Sequence, residues 1–175
     1  MNVQSGNPAN KEDLKNAIEG CDAVLSVLNI SRTSDFPWAP LRTPKTFLSD
    51  TVKNIVSLSE NNRLEQIVIC SAWGVGRSRN YIPFWFRWTI DFSNIRFAYI
   101  DHERQEEILK KSDLNYTIVR PVGLTNINRV KPIKESIDNS PKPNLFITRR
   151  SVANYMVNCL FKKGNQNKIV TLSNS

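Results

Sequence analysis

Apolar residues first recur with a period at Leu14, Ala17 and Ile18, after an opening stretch that is mostly polar. The three share one helical face. Asn10 stands before them as a cap, and Gly20 follows where a left-handed residue would end a helix. The pattern predicts a helix from Lys11 to about Glu19. Ala23 to Leu28 (AVLSVL) is then nearly continuous in apolar residues, as expected of a strand buried on both faces of a parallel sheet. Residues 29–42 read as a polar loop. Thr43-Pro44 reads as a cap with a first-turn proline, opening a helix to about Asn61. Phe47, Leu48, Thr51, Val52, Ile55 and Leu58 lie on one side of that helix.

Gln66 to Cys70 (QIVIC) predicts a second buried strand, and Ser71 to Arg79 a loop with Gly74 and Gly76. Residues 83–92 are aromatic and helical in pattern. A longer helix covers about Arg96 to Lys111, and Tyr116 to Val119 (YTIV) is a third strand. Pro121, Pro132, Pro141 and Pro143 break the next stretch into loops with short strands. A helix from about Ser151 to Lys162 and a strand from Lys168 to Leu172 close the pattern. Helices alternating with short β-rich runs predict an α/β fold with a doubly wound, mainly parallel sheet, as one domain over residues 1–175.

Composition narrows the class. Hydrophobic residues make up 40% of the chain, which suits a globular domain. Charged residues interrupt every apolar stretch before the roughly 18 residues of a membrane span, and no basic-then-apolar leader opens the chain, so the expectation is cytoplasmic. Cys21, Cys70 and Cys159 are odd in number and far apart, which predicts buried free thiols rather than a disulfide framework or a zinc site. With a single histidine and no acidic cluster at ligand spacing, no metal is expected.

The formal charge of +8 is unevenly placed: residues 1–119 hold 14 basic and 14 acidic residues, and residues 120–175 hold ten basic and two acidic. A basic flank suits an anionic partner, or is a solvated face. The aromatic cluster at 73–88 lies outside it and no binding module is present, so nucleic acid is not an expected partner.

In an open α/β sheet, ligands sit beyond the C-terminal ends of the strands. That rule selects Leu28-Asn29-Ile30, Ser71-Ala72-Trp73-Gly74 and Arg120-Pro121-Val122-Gly123. Ser71 reads equally as a hydroxyl facing a ligand carbonyl or carboxamide, or as a turn serine bonded to its own backbone. His102 shares a helical face with Ala98, Glu106 and Leu109, and reads either as a packing or surface residue or as a ligand contact. Phe84, Trp85, Phe86 and Trp88, with Trp73 and Tyr81, form a cluster open to four readings: core, substrate-pocket wall, dimer surface or membrane-interface patch. Arg87 is the only cation within 83–92, which disfavours the last. The chain holds no G-x-x-x-x-G-K-[ST], H-E-x-x-H, C-x-x-C or G-x-S-x-G.

Three strings carry a resemblance: Asp22-Ala-Val24 with its apolar run, Val68-Ile-Cys70-Ser71-Ala-Trp73-Gly74-Val75-Gly76, and Glu106 through Asn115-Tyr-Thr-Ile-Val-Arg120-Pro121. Together with Ile147-Thr-Arg149-Arg-Ser-Val152-Ala153, they resemble the NAD(P)H-binding, NmrA-like branch of atypical short-chain dehydrogenases/reductases, over essentially the whole chain. The resemblance implies a Rossmann-like domain using NADP or NAD, and a reductase of a flavin, quinone or similar small acceptor. The alternatives are a non-catalytic dinucleotide-sensing regulator or an inactive remnant. It implies cofactor contacts at Asn7, Leu28, Asn29, Ser71, Ala72, His102, Pro121 and Val122, catalytic roles for Ser71 and His102, and Trp73 and Trp85 in the substrate pocket. The expected partner is a small-molecule substrate, with a homodimer left open.

Two departures from the family qualify this. No G-x-x-G-x-x-G occurs in the chain, and Val3 to Asn7 resembles the end of the family's third strand. The expectation is therefore an N-terminally truncated fold lacking one strand–helix–strand unit of about 30–40 residues, with cofactor binding weakened or lost. Its first strand would lie at a sheet edge with unpaired backbone. Nor is there a Y-x-x-x-K pair: Ala98 stands at the tyrosine position and His102 at the lysine position, with Tyr99 one place off. The cofactor would supply the hydride, and solvent the proton.

Overall fold

The computed structural model describes residues 2–161 and 167–175. Its elements are helices Lys11–Ile18 (α1), Phe47–Asn62 (α2), Phe84–Asp91 (α3), Ile95–Lys110 (α4) and Arg149–Phe161 (α5). The strands are Ala23–Ser26 (β1), Gln66–Cys70 (β2), Asn115–Pro121 (β3), Gly123–Thr125 (β4), Ile133–Ser136 (β5), Phe146–Thr148 (β6) and Lys168–Asn174 (β7). The main sheet runs β1-β2-β3-β7-β5, and β4 pairs with β6 in a two-stranded sheet. β1, β2, β3 and β7 are parallel and only β5 runs against its neighbour, so the fold is the expected α/β sheet.

Alternation along the central strands feeds two apolar layers. Ile67, Ile69 and Ile118 pack with Leu14, Val52, Ile55 and Leu109 from α1, α2 and α4. Val68, Val119, Val170 and Leu172 point the other way, onto Val152, Met156 and Cys159 of α5. The strands read as continuously apolar because both of their faces are covered.

Four local expectations are corrected. The first strand ends at Ser26 rather than Leu28, and all four of its residues are only half-buried. Among the described residues β1 pairs with β2 alone, so it is an edge strand, and Val27 beyond it is 65% exposed. Val3 to Asn7 form no strand. The Thr43-Pro44 cap does not open α2: Thr43 Oγ1 instead accepts the Ser31 N–H at 2.9 Å, and α2 starts at Phe47. Of the three free cysteines only Cys159 is fully buried, while Cys21 and Cys70 are half-buried. The expected end of the last helix at Lys162 lies outside the described residues.

The N-terminus of α2 is closed from another helix. Thr46 makes no side-chain cap bond. Instead Asp101 of α4, fully buried, accepts the Leu48 N–H at 2.7 Å and the Ser49 N–H at 3.3 Å. Ser49 Oγ also donates to Asp101 Oδ1. A carboxylate there satisfies orphan donors and opposes the positive end of the helix dipole. The bond ties α4, which carries His102 and Glu106, to α2.

Candidate functional site

β1, β2 and β3 are parallel, so their C-terminal ends open on the same edge of the sheet. A cavity of about 390 Å³ lies there, lined among others by Leu28, Asn29, Ser71, Ala72, Trp73, His102, Pro121 and Val122. The structure thus brings together eight of the ten residues singled out from sequence. Asn7 is not among them: it lines a separate hollow beside α1, where its Oδ1 accepts the Ala9 N–H at 3.0 Å. Trp85 is not either. It is 63% exposed and touches the cavity only through its neighbour, with ring centroids 5.6 Å from Phe86. Phe86 and Tyr99 supply the aromatic wall instead, packed edge to face.

Ser71 follows neither of its two sequence readings simply. It is buried, and its Oγ donates to Glu106 Oε1 at 2.7 Å rather than to its own backbone. Glu106, 1% exposed, is clamped by Arg120 of β3: Nε donates to Oε1 at 2.9 Å and Nη2 donates to Oε2. This fork-on-fork pair is the geometry that lets two charges share a buried site. Arg120 stood in a strand-end segment selected from sequence and Glu106 on the His102 face, but nothing in the sequence paired them, because Glu106 lies 35 residues from Ser71 and 14 from Arg120.

His102 is buried on α4, with Nδ1 2.7 Å from Gln105 Nε2. Loss of hydration pushes its pKa down to about 4, so the ring is neutral at physiological pH. Tyr99 cannot stand in for a proton-donating tyrosine. Its hydroxyl donates to the Trp73 carbonyl at 3.2 Å, and burial raises its pKa further. Gly74 follows Trp73 with a φ of +103°, where a side chain would be strained and its Cβ would lie 3.1 Å from Ile82 and Tyr99. Burial also raises the Cys70 thiol to about 11, so it is not a thiolate nucleophile.

Two cations line the cavity, Arg32 and Arg149, and no carboxylate does. Arg149 comes from the basic C-terminal third and is anchored by Asn126 Oδ1. A larger hollow, about 650 Å³, adjoins Arg120 on β3, but Arg77, Lys110 and Arg120 there face Glu103, Glu107 and Asp138. Of these two hollows, the smaller alone has an unbalanced positive lining among the described residues, which suits an anionic ligand. Among the described residues no group of three or more His, Cys, Asp or Glu is placed to hold a metal. No described helix is long and apolar enough to cross a membrane.

A mainly parallel sheet with helices on both faces and a cavity at its strand ends defines a Rossmann-like protein. The chain belongs to the NAD(P)H-binding family, whose model matches residues 1–163. It is similar in fold to a short-chain dehydrogenase/reductase from Veillonella parvula solved in complex with NADP. The TM-score is 0.72 at 16% identity, covering 96% of this chain and 70% of that one. It is also similar to ChuY, an anaerobilin reductase from Escherichia coli O157:H7, with a TM-score of 0.74 at 15% identity, covering 98% and 74% of the two chains. A putative NAD-dependent epimerase/dehydratase from Bacillus halodurans gives 0.68 at 18% identity, over 100% and 71%. No curated protein matches the chain.

Proposed function

We propose that the protein is an NAD(P)H-dependent reductase of a small acceptor, such as a flavin or quinone, in the atypical NmrA-like group. The observation that carries this reading is the cavity at the strand ends, with two arginines, no carboxylate and two buried polar side chains, Ser71 and His102. Its size falls in the usual range for small-ligand sites. Leu28, Asn29, Ala72, Pro121 and Val122 would hold the nicotinamide end of the cofactor, and Arg32 and Arg149 would meet anionic groups of cofactor or substrate.

When bound, the cofactor supplies a hydride. The chain supplies orientation and a dry wall. Trp73, Phe86 and Tyr99 exclude water from one side, and Ser71 and His102 fix a polar edge of the ligand. His102, neutral, is a hydrogen-bond donor or acceptor here and not a proton source; the proton comes from water.

In this reading the grip on the pyrophosphate belongs to a Gly-rich strand–helix–strand unit that the 175 residues do not contain. The open edge of β1 is where its strand would pair. The reading predicts weak binding of NADPH by this chain. In a version extended by such a unit, Ser71→Ala and His102→Ala should each lower NADPH-dependent turnover of a flavin or quinone. Unchanged turnover in both variants would remove the site assignment.

A second reading, a non-catalytic dinucleotide sensor, is supported by one observation. None of the cavity's titratable groups His102, Tyr99 and Cys70 is poised to donate a proton near neutrality. NADPH binding by the extended version without hydride transfer to any acceptor would favour it.

A further inference from the structure

Ser71 and His102 line one cavity, and each is held from behind by a residue of α4. The Ser71 proton is committed to Glu106. Glu106 is itself fixed by two donors from Arg120, so it stays an acceptor. Ser71 Oγ therefore offers the cavity lone pairs only.

His102 has the opposite polarity. The Gln105 nitrogen next to Nδ1 also reaches the Cys70 carbonyl at 3.5 Å. A nitrogen that donates to a carbonyl is the amide NH₂, which has no lone pair to accept with, so Nδ1 is the acceptor. The ring is neutral, and its one proton then sits on Nε2. His102 and Glu106 are four residues apart on α4, neighbours on one helix face at about 5–6 Å between Cβ atoms. Ser71, through its bond to Glu106, and His102 are thus both tied to this face of α4, and both line the cavity.

We infer that Glu106 and Gln105 set the hydrogen-bond polarity of this site. Ser71 accepts, His102 Nε2 donates, and the pair recognises an uncharged amide whose N–H and C=O lie on the same side, a primary carboxamide or a lactam. The inference rests on this cavity being the ligand site proposed above. A ketone would leave Ser71 unmatched, and a trans peptide would point its two polar groups apart. A carboxylate would set an acceptor against the serine's lone pairs. Glu106 and Gln105 act as positioning residues. The amide has two sources, the carboxamide of the cofactor or a lactam of the substrate.

Because the chain has one histidine, nitrogen NMR reads its tautomer without ambiguity. The expected result at neutral pH is a protonated Nε2 and a bare Nδ1, exchanged in Gln105→Glu, whose carboxylate can only accept. Nicotinamide, δ-valerolactam and 3-acetylpyridine are then titrated with the His102 Nε2 signal as readout. One or both amides should move it. 3-Acetylpyridine, which keeps the carbonyl but lacks the N–H, should bind about five-fold or more weakly. A response to nicotinamide alone assigns the amide to the cofactor, and to the lactam alone assigns it to the substrate. A native proton on Nδ1, equal binding of 3-acetylpyridine, or no response to either amide overturns the inference. The fragments need no grip on pyrophosphate. If they bind while NADPH fails to bind the extended version, the reductase reading falls and this one stands.

Discussion

Replacing Glu106 by glutamine keeps the shape and the acceptor for Ser71 but removes the negative charge facing Arg120. Arg120 is 7% exposed and its guanidinium is held by Glu106 through two hydrogen bonds. Stranding a buried cation costs about 3–5 kcal/mol. For a domain of this size each kcal/mol moves Tm by about 2–4 °C, so Glu106→Gln should melt lower by about 6–20 °C.

Arg120→Met should cost up to a similar amount, because it leaves the buried carboxylate only the longer contact to Lys110, at 3.9 Å. The double variant restores charge balance, so its loss should fall short of the sum of the two single losses by at least 1 kcal/mol, roughly. The assay is urea unfolding of the four proteins with a common m-value, read by tryptophan fluorescence and far-ultraviolet circular dichroism. Additive losses, or a Glu106→Gln loss under about 1 kcal/mol, would refute the claim that this pair is a coupled buried unit.

Two further outcomes follow from buried groups near the site. The His102 pKa falls from 6.5 to about 4 on folding, so the unfolded chain binds the extra proton between those values. Its stability contribution is complete above about pH 6.5 and is lost as pH falls toward 4, about 3 kcal/mol in all. Urea midpoints of wild type and His102→Gln should converge on acidification, and parallel curves would contradict the assignment. Asp101→Ala removes the acceptor for two N–H groups at the start of α2 and should cost about 2 kcal/mol or more. Faster amide exchange at Leu48 and Ser49 should accompany the loss.

Periodicity carried most of the fold. The strands at Gln66–Cys70 and Asn115–Pro121, and the two-faced apolar layers, follow from runs such as QIVIC that local pattern reads directly. The first strand was misjudged because an apolar run reports composition, while burial depends on which strands lie beside it. The start of α2 was missed for a similar reason: its capping carboxylate lies on another helix, about 50 residues away in sequence.

The candidate site was legible where position alone decided it. Residues just beyond parallel strands had to meet at one edge, and eight of ten line one cavity. Trp85 could not be told from Phe86, because 84–88 is aromatic at four of five positions and gives no polar face to mark the outside. The Ser71–Glu106–Arg120 network was invisible because its bonds span three elements. Arg32 likewise lies in a loop where a charged residue has no pattern to distinguish it.

The most direct test of the central claim is whether the nicotinamide end of NADP lies among the strand ends. With a single histidine in the chain, nuclear Overhauser effects between the His102 ring protons and the nicotinamide ring of NADP⁺ report that contact alone. The account predicts such effects at millimolar NADP⁺, reduced by Ala72→Trp, which would fill the cavity. Saturable NADP⁺ binding that leaves the His102 ring untouched would contradict it.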